Sequence, residues 1–469
     1  MRVLMLGWEF PPHISGGLGT ACEGLTSGLA RQGVDVTFVV PELFGGEKAD
    51  NAELVDSHGR RTDTRGQLLI SDDTESEDIL TSFPARGGQI AVKRVPAMLQ
   101  PYFTAQSFRE YVTELQHVAR EASSRGAQVR SDLKAIGLEA SDEADYTKGA
   151  AQPLQPAANR KPGAHYTWDM FGEVSRYTAR LTSLFAAESF DVIHAHDWMT
   201  FPAGVALKQV SGKPLVVHTH SLEFDRSGAH VNQQIVDLER LGLEAADVII
   251  AVSYYTRRII HEHYKIPLEK ISVVHNGVYP EPLRERYRAM KKWPSRVVLF
   301  LGRITFQKGP DYFVEAAAKV IPHVPDVIFV MAGTGDMRQR MIDRVNELGF
   351  SQHFFFPGFL KGQEVEEMFS LADVYVMPSV SEPFGLSALE AIKFETPVII
   401  SRQSGVSEVL SHALKADFWD IERLADLMIN ALLHEELRAD LVAMAREEVR
   451  RLHWEASALR TIEVYRRLT

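Results

Sequence analysis

Short runs of aliphatic and β-branched residues recur along this chain, separated by stretches whose apolar positions fall at helical spacing. Arg2–Leu6 reads as a strand and Thr20–Arg31 as the helix after it. Val34–Val40 follows as a strand, and later candidates are Asp191–His194, Leu215–Thr219 and Val248–Val252. Near-continuous apolar strands alternating with helices predict a parallel sheet covered on both faces. The rhythm breaks at about residues 105–163, which are rich in Ala, Gln, Ser and charge. That stretch reads as an insertion, a solvated excursion or a lid, with a helical segment at Phe108–Ser124 and a Pro-rich linker at Ala151–Pro162. Pro280–Pro294, with prolines at both ends and charge between, marks a domain boundary. The pattern then restarts: strand Arg296–Leu301, helix Pro310–Val320, strand Val327–Ala332, helix Met337–Leu348, and strands Phe354–Pro357, Val374–Met377 and Pro397–Ser401. Glu422–Arg467 is helical in period and composition. The fold class expected is α/β, with two Rossmann-like doubly wound domains facing each other, residues 1–280 and 295–452.

Size and charge narrow the picture. A chain of 469 residues exceeds one ordinary core, and a hydrophobic fraction of 45% is that of a globular protein. No apolar run approaches a membrane span. The start, Met-Arg-Val-Leu-Met-Leu-Gly, reads as a buried strand rather than a signal peptide. One cysteine, Cys22, excludes an intramolecular disulfide and any multi-cysteine metal site, which fits a reducing cytoplasm. A formal net charge of −11 argues against non-specific binding to nucleic acid or anionic lipid.

The candidate chemistry sits where strands end. In Pro378-Ser-Val-Ser-Glu-Pro-Phe-Gly-Leu-Ser-Ala-Leu-Glu390, seven residues separate Glu382 from Glu390, and a Pro-Phe-Gly turn between them opens a helix. A helix start offers unpaired N–H groups and a positive dipole end to a phosphate, while the carboxylates can accept from hydroxyls. Phosphate at the amides and a polyhydroxyl at the carboxylates describe a nucleotide sugar. Arg303 and Lys308 follow the strand Arg296–Leu301, and two cations there can neutralise a diphosphate. Gly16 and Gly17 follow the first strand and can let backbone approach a phosphate. Gly333-Thr-Gly335-Asp336 is another glycine-rich turn after a strand. Asn276-Gly277 reads as a structural turn with positive φ at the glycine. His261-Glu-His263 lies on a helical face and reads as solvated. Two His-x-His pairs, His194/His196 and His218/His220, place imidazoles on one strand face, a spacing a metal could use.

The Glu382–Glu390 segment resembles the Glu-x7-Glu signature of retaining glycosyltransferases with the GT-B fold. Gly302-Arg303-Ile-Thr-Phe-Gln-Lys308-Gly309 resembles the donor-pyrophosphate motif of glycogen and starch synthases, His196-Asp197-Trp198 their acceptor-side motif, and Gly16-Gly17-Leu18 their first glycine-rich loop. These matches run in family order across almost the whole chain. The resemblance implies a final helix, residues 453–469, that crosses back to the N-terminal domain at His453-Trp454. It implies that Glu382 lies near the donor sugar, that Glu390 binds the ribose, and that the backbone of Phe384, Gly385 and Leu386 meets sugar and phosphate. Gly333 and the Phe356–Leu360 segment, including Phe359, would flank the base. His220, in a His-Ser-Leu triplet also similar to sucrose-phosphate synthases, would donate to sugar hydroxyls, and Asp197 would lie on the acceptor side. No metal and no cofactor is implied, since Arg303 and Lys308 take the metal's electrostatic role. Bacterial glycogen synthases carry Lys-x-Gly-Gly where this chain has Ile14 before its glycines, so ADP-glucose does not carry over automatically. The implied reaction moves a glucosyl unit from ADP-glucose or UDP-glucose to the non-reducing end of an α-1,4-glucan; the alternative acceptor is a small sugar, a sugar phosphate or a cell-surface glycan.

Overall fold

The computed structural model describes residues 1–11, 17–41, 170–185, 188–279 and 295–469, with the backbone of five short strands between residues 54 and 94. The expected insertion at 105–163, with Phe108–Ser124 and Ala151–Pro162, lies outside the described residues, as does the boundary Pro280–Pro294.

The first half contributes strands β1 (Arg2–Leu6), β2 (Asp35–Val40), β3 (Leu54–Val55), β4 (Arg61–Thr62), β5 (Leu68–Leu69), β6 (Thr81–Ala85), β7 (Gly88–Arg94), β8 (Val192–His196), β9 (Leu215–Thr219), β10 (Val248–Ala251) and β11 (Ile271–Val273). Eight of them form one sheet in the order β11-β10-β9-β8-β1-β2-β7-β6, while β3, β4 and β5 pair separately. Only β6 runs antiparallel in the large sheet. Helices α1 (Gly17–Arg31), α2 (Met170–Phe185), α3 (Phe201–Ser211), α4 (Glu223–Ser227), α5 (Gln233–Ala245) and α6 (Tyr254–Tyr264) accompany it. The two-residue pleat divides β1 between two cores: Leu4 and Leu6 enter one, Val3 and Met5 the other.

The second half forms a six-stranded parallel sheet from β12 (Arg296–Leu301), β13 (Val327–Ala332), β14 (Phe354–Gly358), β15 (Val374–Met377), β16 (Val398–Ser401) and β17 (Leu414–Ala416), in the order β14-β13-β12-β15-β16-β17. Its helices are α7 (Pro310–Val320), α8 (Arg338–Glu347), α9 (Gln363–Leu371), α10 (Leu386–Lys393), α11 (Ile421–Leu433) and α12 (Glu435–Val449). Val298 and Phe300 of β12 face one core, and Val297 and Leu299 the other. Two parallel-sheet, doubly wound units are the fold class the hydrophobic pattern predicted.

The chain then returns. Val278 N–H donates to the Leu452 carbonyl at 2.8 Å, and Val278 pairs with His453. His453 caps the last helix, α13 (Trp454–Arg466), which packs on α1 in the core that holds Val3 and Met5.

Two boundaries differ in ways that matter. Helix α1 begins at Gly17 instead of Thr20, so Gly17 opens the helix directly. Strand β8 runs to His196 instead of stopping at His194, because its pairing with β9 continues to His196 opposite His218. The C-terminal helical stretch breaks into α11, α12 and α13.

Candidate functional site

The predicted residues collect at the carboxyl ends of strands from both sheets, where ligands of doubly wound sheets bind. Gly16 lies outside the described residues. Gly17, exposed, is the first residue of α1. A Cβ on Gly17 would stand 3.8 Å from Leu386 Cδ1, so the first residue of α1 lies beside the first residue of α10. Gly385 heads α10 at φ 110°, a conformation glycine adopts without penalty, and it is wedged against Met377 and Val406. Phe384 is buried, and its carbonyl accepts from Val406 N–H at 2.6 Å.

Glu382 is buried and pinned by its backbone, its N–H donating to the Gln403 carbonyl at 2.9 Å. Its Oε2 accepts from Lys308 Nζ at 2.5 Å and from Ser379 Oγ at 3.2 Å. Lys308 closes a short turn whose next residue, Gly309, presses on the Pro378 carbonyl. Arg303 is exposed, with Nη2 3.3 Å from Gln307 Oε1. The two cations therefore hold different partners: Lys308 an acid, Arg303 a neutral amide. Glu390, partly buried on α10, has its carboxyl raised by burial against the opposing pull of Lys393. The turns after β12, β13 and β14 interlock: Gly302 N–H donates to the Ala332 carbonyl, and Gly333 N–H to the Gly358 carbonyl. Phe359 follows, half exposed, with Lys361 Nζ over its ring at 5.6 Å.

The other wall comes from β8 and β9. Asp197 holds φ 59°, and its Oδ1 accepts from His220 N–H at 2.6 Å and Ser221 N–H at 3.4 Å. Burial raises its carboxyl to about 7, against the pull of those hydrogen bonds and of Arg226. The carboxylate thus pins the loop after β9. Arg226 grips the same loop, donating from Nη1 to the Ser221 carbonyl at 3.2 Å while holding Glu223 and Glu239.

The two His-x-His pairs meet because β8 and β9 are neighbours in register. Their four rings stack at centroid spacings of 4.3–5.3 Å and interplanar angles of 16–30°. His194 Nδ1 lies 2.5 Å from Tyr465 Oη, His194 Nε2 3.2 Å from His218 Nδ1, and His196 Nδ1 2.9 Å from His220 Nε2. Burial holds His194 and His220 down to about 3 and His196 and His218 well below their usual value. Ring nitrogens of His194, His196 and His218 lie within 4.8 Å of one another, and Cys22 Sγ borders His196 and His220 equally closely. A tetrahedral ion needs lone pairs that converge on one point, whereas near-parallel rings aim them side by side.

Two smaller expectations change. Gly277 does not have positive φ; it is needed because a Cβ there would sit 2.5 Å from Trp454 N, where the chain returns. His261 and His263 are exposed but engaged, His261 Nδ1 with the Ile266 carbonyl at 2.8 Å and His263 stacked on Phe224 at 4.0 Å.

Sequence reasoning missed Tyr465, and it missed Asp225, which accepts from Ser381 Oγ at 2.5 Å beside Glu382. Those partners are 271 and 156 residues apart, and neither carries a local signal.

Three family models cover most of the chain: the starch synthase catalytic domain at residues 2–84, glycosyltransferase family 4 at 116–282, and glycosyl transferases group 1 at 284–448. An alpha-maltose-1-phosphate synthase of Mycolicibacterium smegmatis is 31% identical over 324 residues, 62% of this chain and 83% of that protein. The chain belongs to the GT-B glycosyltransferases, of the glycogen/starch-synthase-like kind. This glycosyltransferase is similar along its length to an uncharacterized glycosyltransferase of Methanocaldococcus jannaschii, 26% identical over 99% of this chain and 98% of that one. Among solved structures it resembles a sucrose-phosphate synthase from Thermosynechococcus elongatus, with a TM-score of 0.67 at 19% identity, covering 100% of this chain and 98% of that one. No helix among the described residues of the glycosyltransferase is long and apolar enough to cross a membrane.

Proposed function

We propose that this glycosyltransferase is a retaining enzyme that moves a glucosyl unit from ADP-glucose or UDP-glucose to the non-reducing end of an α-1,4-glucan, in a reducing cytoplasm and without a metal. The observation that carries the donor class is the ion pair of Lys308 with Glu382 just ahead of the glycine-headed start of α10, with the first residue of α1 beside Leu386. Two positive helix ends with Lys308 and Arg303 beside them suit a diphosphate. On donor binding Lys308 exchanges Glu382 for phosphate oxygen, which frees Glu382 to accept from the sugar. Glu390 takes the ribose, and Gly333 and Phe359 flank the base. His220 donates to a sugar hydroxyl, and Asp197 shapes the acceptor side through the loop it pins.

Glu382 stays buried, backbone-anchored and hydrogen-bonded to Ser379 Oγ, so this reading uses front-face attack in place of a covalent intermediate. In that step the bond from the anomeric carbon to phosphate oxygen breaks and the acceptor oxygen bonds to the same face. The acceptor's proton passes to the departing phosphate. The cations stabilise the charge that develops there, and closure of the domains excludes water.

A second reading keeps the donor and uses a small phosphorylated sugar as acceptor. The His220-Ser-Leu triplet, Ile14 in place of the bacterial lysine, and the maltose-1-phosphate synthase relative favour it.

One experiment separates these readings: nucleotide release from ADP-glucose, UDP-glucose, GDP-mannose and UDP-N-acetylglucosamine, each with and without glycogen. Glycogen-dependent release from a glucose donor is expected. Release that ignores glycogen with every donor would remove the glucan reading. Lys308→Ala and Glu382→Ala should each lose turnover with the fold intact, and full activity in either would overturn the site.

A further inference from the structure

His220 faces the cleft, but the nitrogen it presents there is decided behind it. Among the four stacked imidazoles His220 alone is partly exposed. Its Nε2 is 2.9 Å from His196 Nδ1, and among the described residues no protein atom bonds its Nδ1. Two neutral rings at that distance share one proton, so two arrangements exist. In the first, His196 Nδ1–H donates, His220 Nε2 accepts, and the proton of His220 must reside on Nδ1. In the second, His220 Nε2–H donates and His196 must carry its own proton on Nε2.

His196 Nε2 is buried and has no partner among the described residues. The second arrangement would bury an N–H with nothing to accept it, a situation folded proteins almost never tolerate; the first buries only a bare lone pair. The Cys22 thiol, kept protonated by burial, borders the same two rings, but its sulfur is a weak acceptor and makes no hydrogen bond to His196 Nε2. The lack of an acceptor favours the first arrangement. We propose that His196 is a positioning residue that holds His220 in its Nδ1–H tautomer, so that the ring meets the cleft as a hydrogen-bond donor to a hydroxyl oxygen. The tautomer follows from the protein alone; that the hydroxyl belongs to the transferred sugar rests on the function proposed above.

A neutral imidazole fixed this way discriminates. Nδ1–H can donate to a hydroxyl oxygen, but it repels another donor such as an ammonium, and with the ring neutral it adds no charge beside the cationic sugar. The same ring freed from His196 would populate both tautomers, and its cleft-facing nitrogen would be a bare acceptor part of the time.

The test is a long-range ¹H–¹⁵N spectrum of the full chain with ¹⁵N-labelled histidine, His220 being assigned by the signal lost in His220→Gln. Wild type is expected to show a protonated, pyrrole-type Nδ1 and a pyridine-type Nε2 for His220. His196→Leu should shift both nitrogens toward mixed values, and His196→Asn, whose amide N–H can replace the donor, should restore the wild-type pattern. Loss of one directed hydrogen bond lowers kcat of His196→Leu roughly tenfold, with KM for the donor changed less. A protonated Nε2 on His220 in wild type, or an unchanged tautomer in His196→Leu, overturns the proposal. If His196→Leu does not fold, the wild-type spectrum still decides. The expected tautomer in a protein that turns over no nucleotide sugar would leave the positioning role standing and remove the proposed reaction.

Discussion

Protonating any of His194, His196, His218 and His220 would place a cation against neutral rings in a largely buried stack, and burial holds His194 and His220 down to about 3 for that reason. Folding therefore carries a proton debt on the acid side. Unfolded imidazoles bind protons below about 6.5 while His194 and His220 stay neutral to about 3, so acid favours the unfolded chain and the contribution of these two rings fades as pH falls through that window. Asp197 and Glu239, held up to about 7, act in the opposite sense: the folded chain keeps their protons, and their contribution falls as pH rises from about 4 to 7. The two effects are separable by a variant. His194→Gln keeps an amide near Tyr465 but removes one imidazole, so its stability should fall less steeply than wild type between pH 6 and 4, by about 1.4 kcal/mol per pH unit. Thermal unfolding across that range measures it, and parallel curves for the two proteins would contradict the neutral stack.

Helices and strands carry their own constraints. Helix α13 seats Trp454 on α1 where Gly24 lies: a Cβ on Gly24 would be 2.1 Å from the indole, and one on Gly28 would be 2.7 Å from the Trp454 carbonyl. Glycines four apart share one face of α1 and leave a groove for the returning helix. Gly24→Ala overpacks that groove, at a cost of about 1–3 kcal/mol, whereas Trp454→Ala empties it, at about 3–5 kcal/mol. In the double variant the added methyl occupies part of the vacated space, so urea denaturation should give less than the sum; strict additivity would mean the indole does not rest on Gly24. At this scale the hydrophobic period was a good guide: β9, β12, β13, β15 and α7 lie at their expected bounds. The start of α1 was missed because Gly17 and Gly19, its first glycines, carry no helical signal of their own.

Across the whole molecule, the halves are tied by polar contacts close to Glu382. Ser253 Oγ donates to the Pro383 carbonyl at 2.6 Å, Ser381 Oγ to Asp225 at 2.5 Å, and Glu408 accepts from Tyr254 and Tyr255 N–H at 2.9 and 2.5 Å. Glu408 thus supplies an anion to the N-terminus of α6 from the opposite half, a contact worth about 1 kcal/mol. Glu408→Ala should loosen the pair, read as a larger radius of gyration by small-angle scattering of the free protein, with melting of the separate cores little changed; an unchanged radius would show that the contact does not hold the halves together. The sequence by itself determined the repeated strand–helix rhythm, the two sheets, and the strand ends where Glu382, Lys308 and His220 are found, because those depend on local period and on residue types that only certain turns accept. Only the tertiary structure decided the pairing of Lys308 with Glu382, the stacking of His194, His196, His218 and His220, the use of the Asp197 carboxylate as a loop anchor, and the joining of Tyr465 to His194. Those contacts link residues far apart in the chain, and their energies come from burial and shared protons, which exist only once β8, β9, α13 and the second sheet have come together.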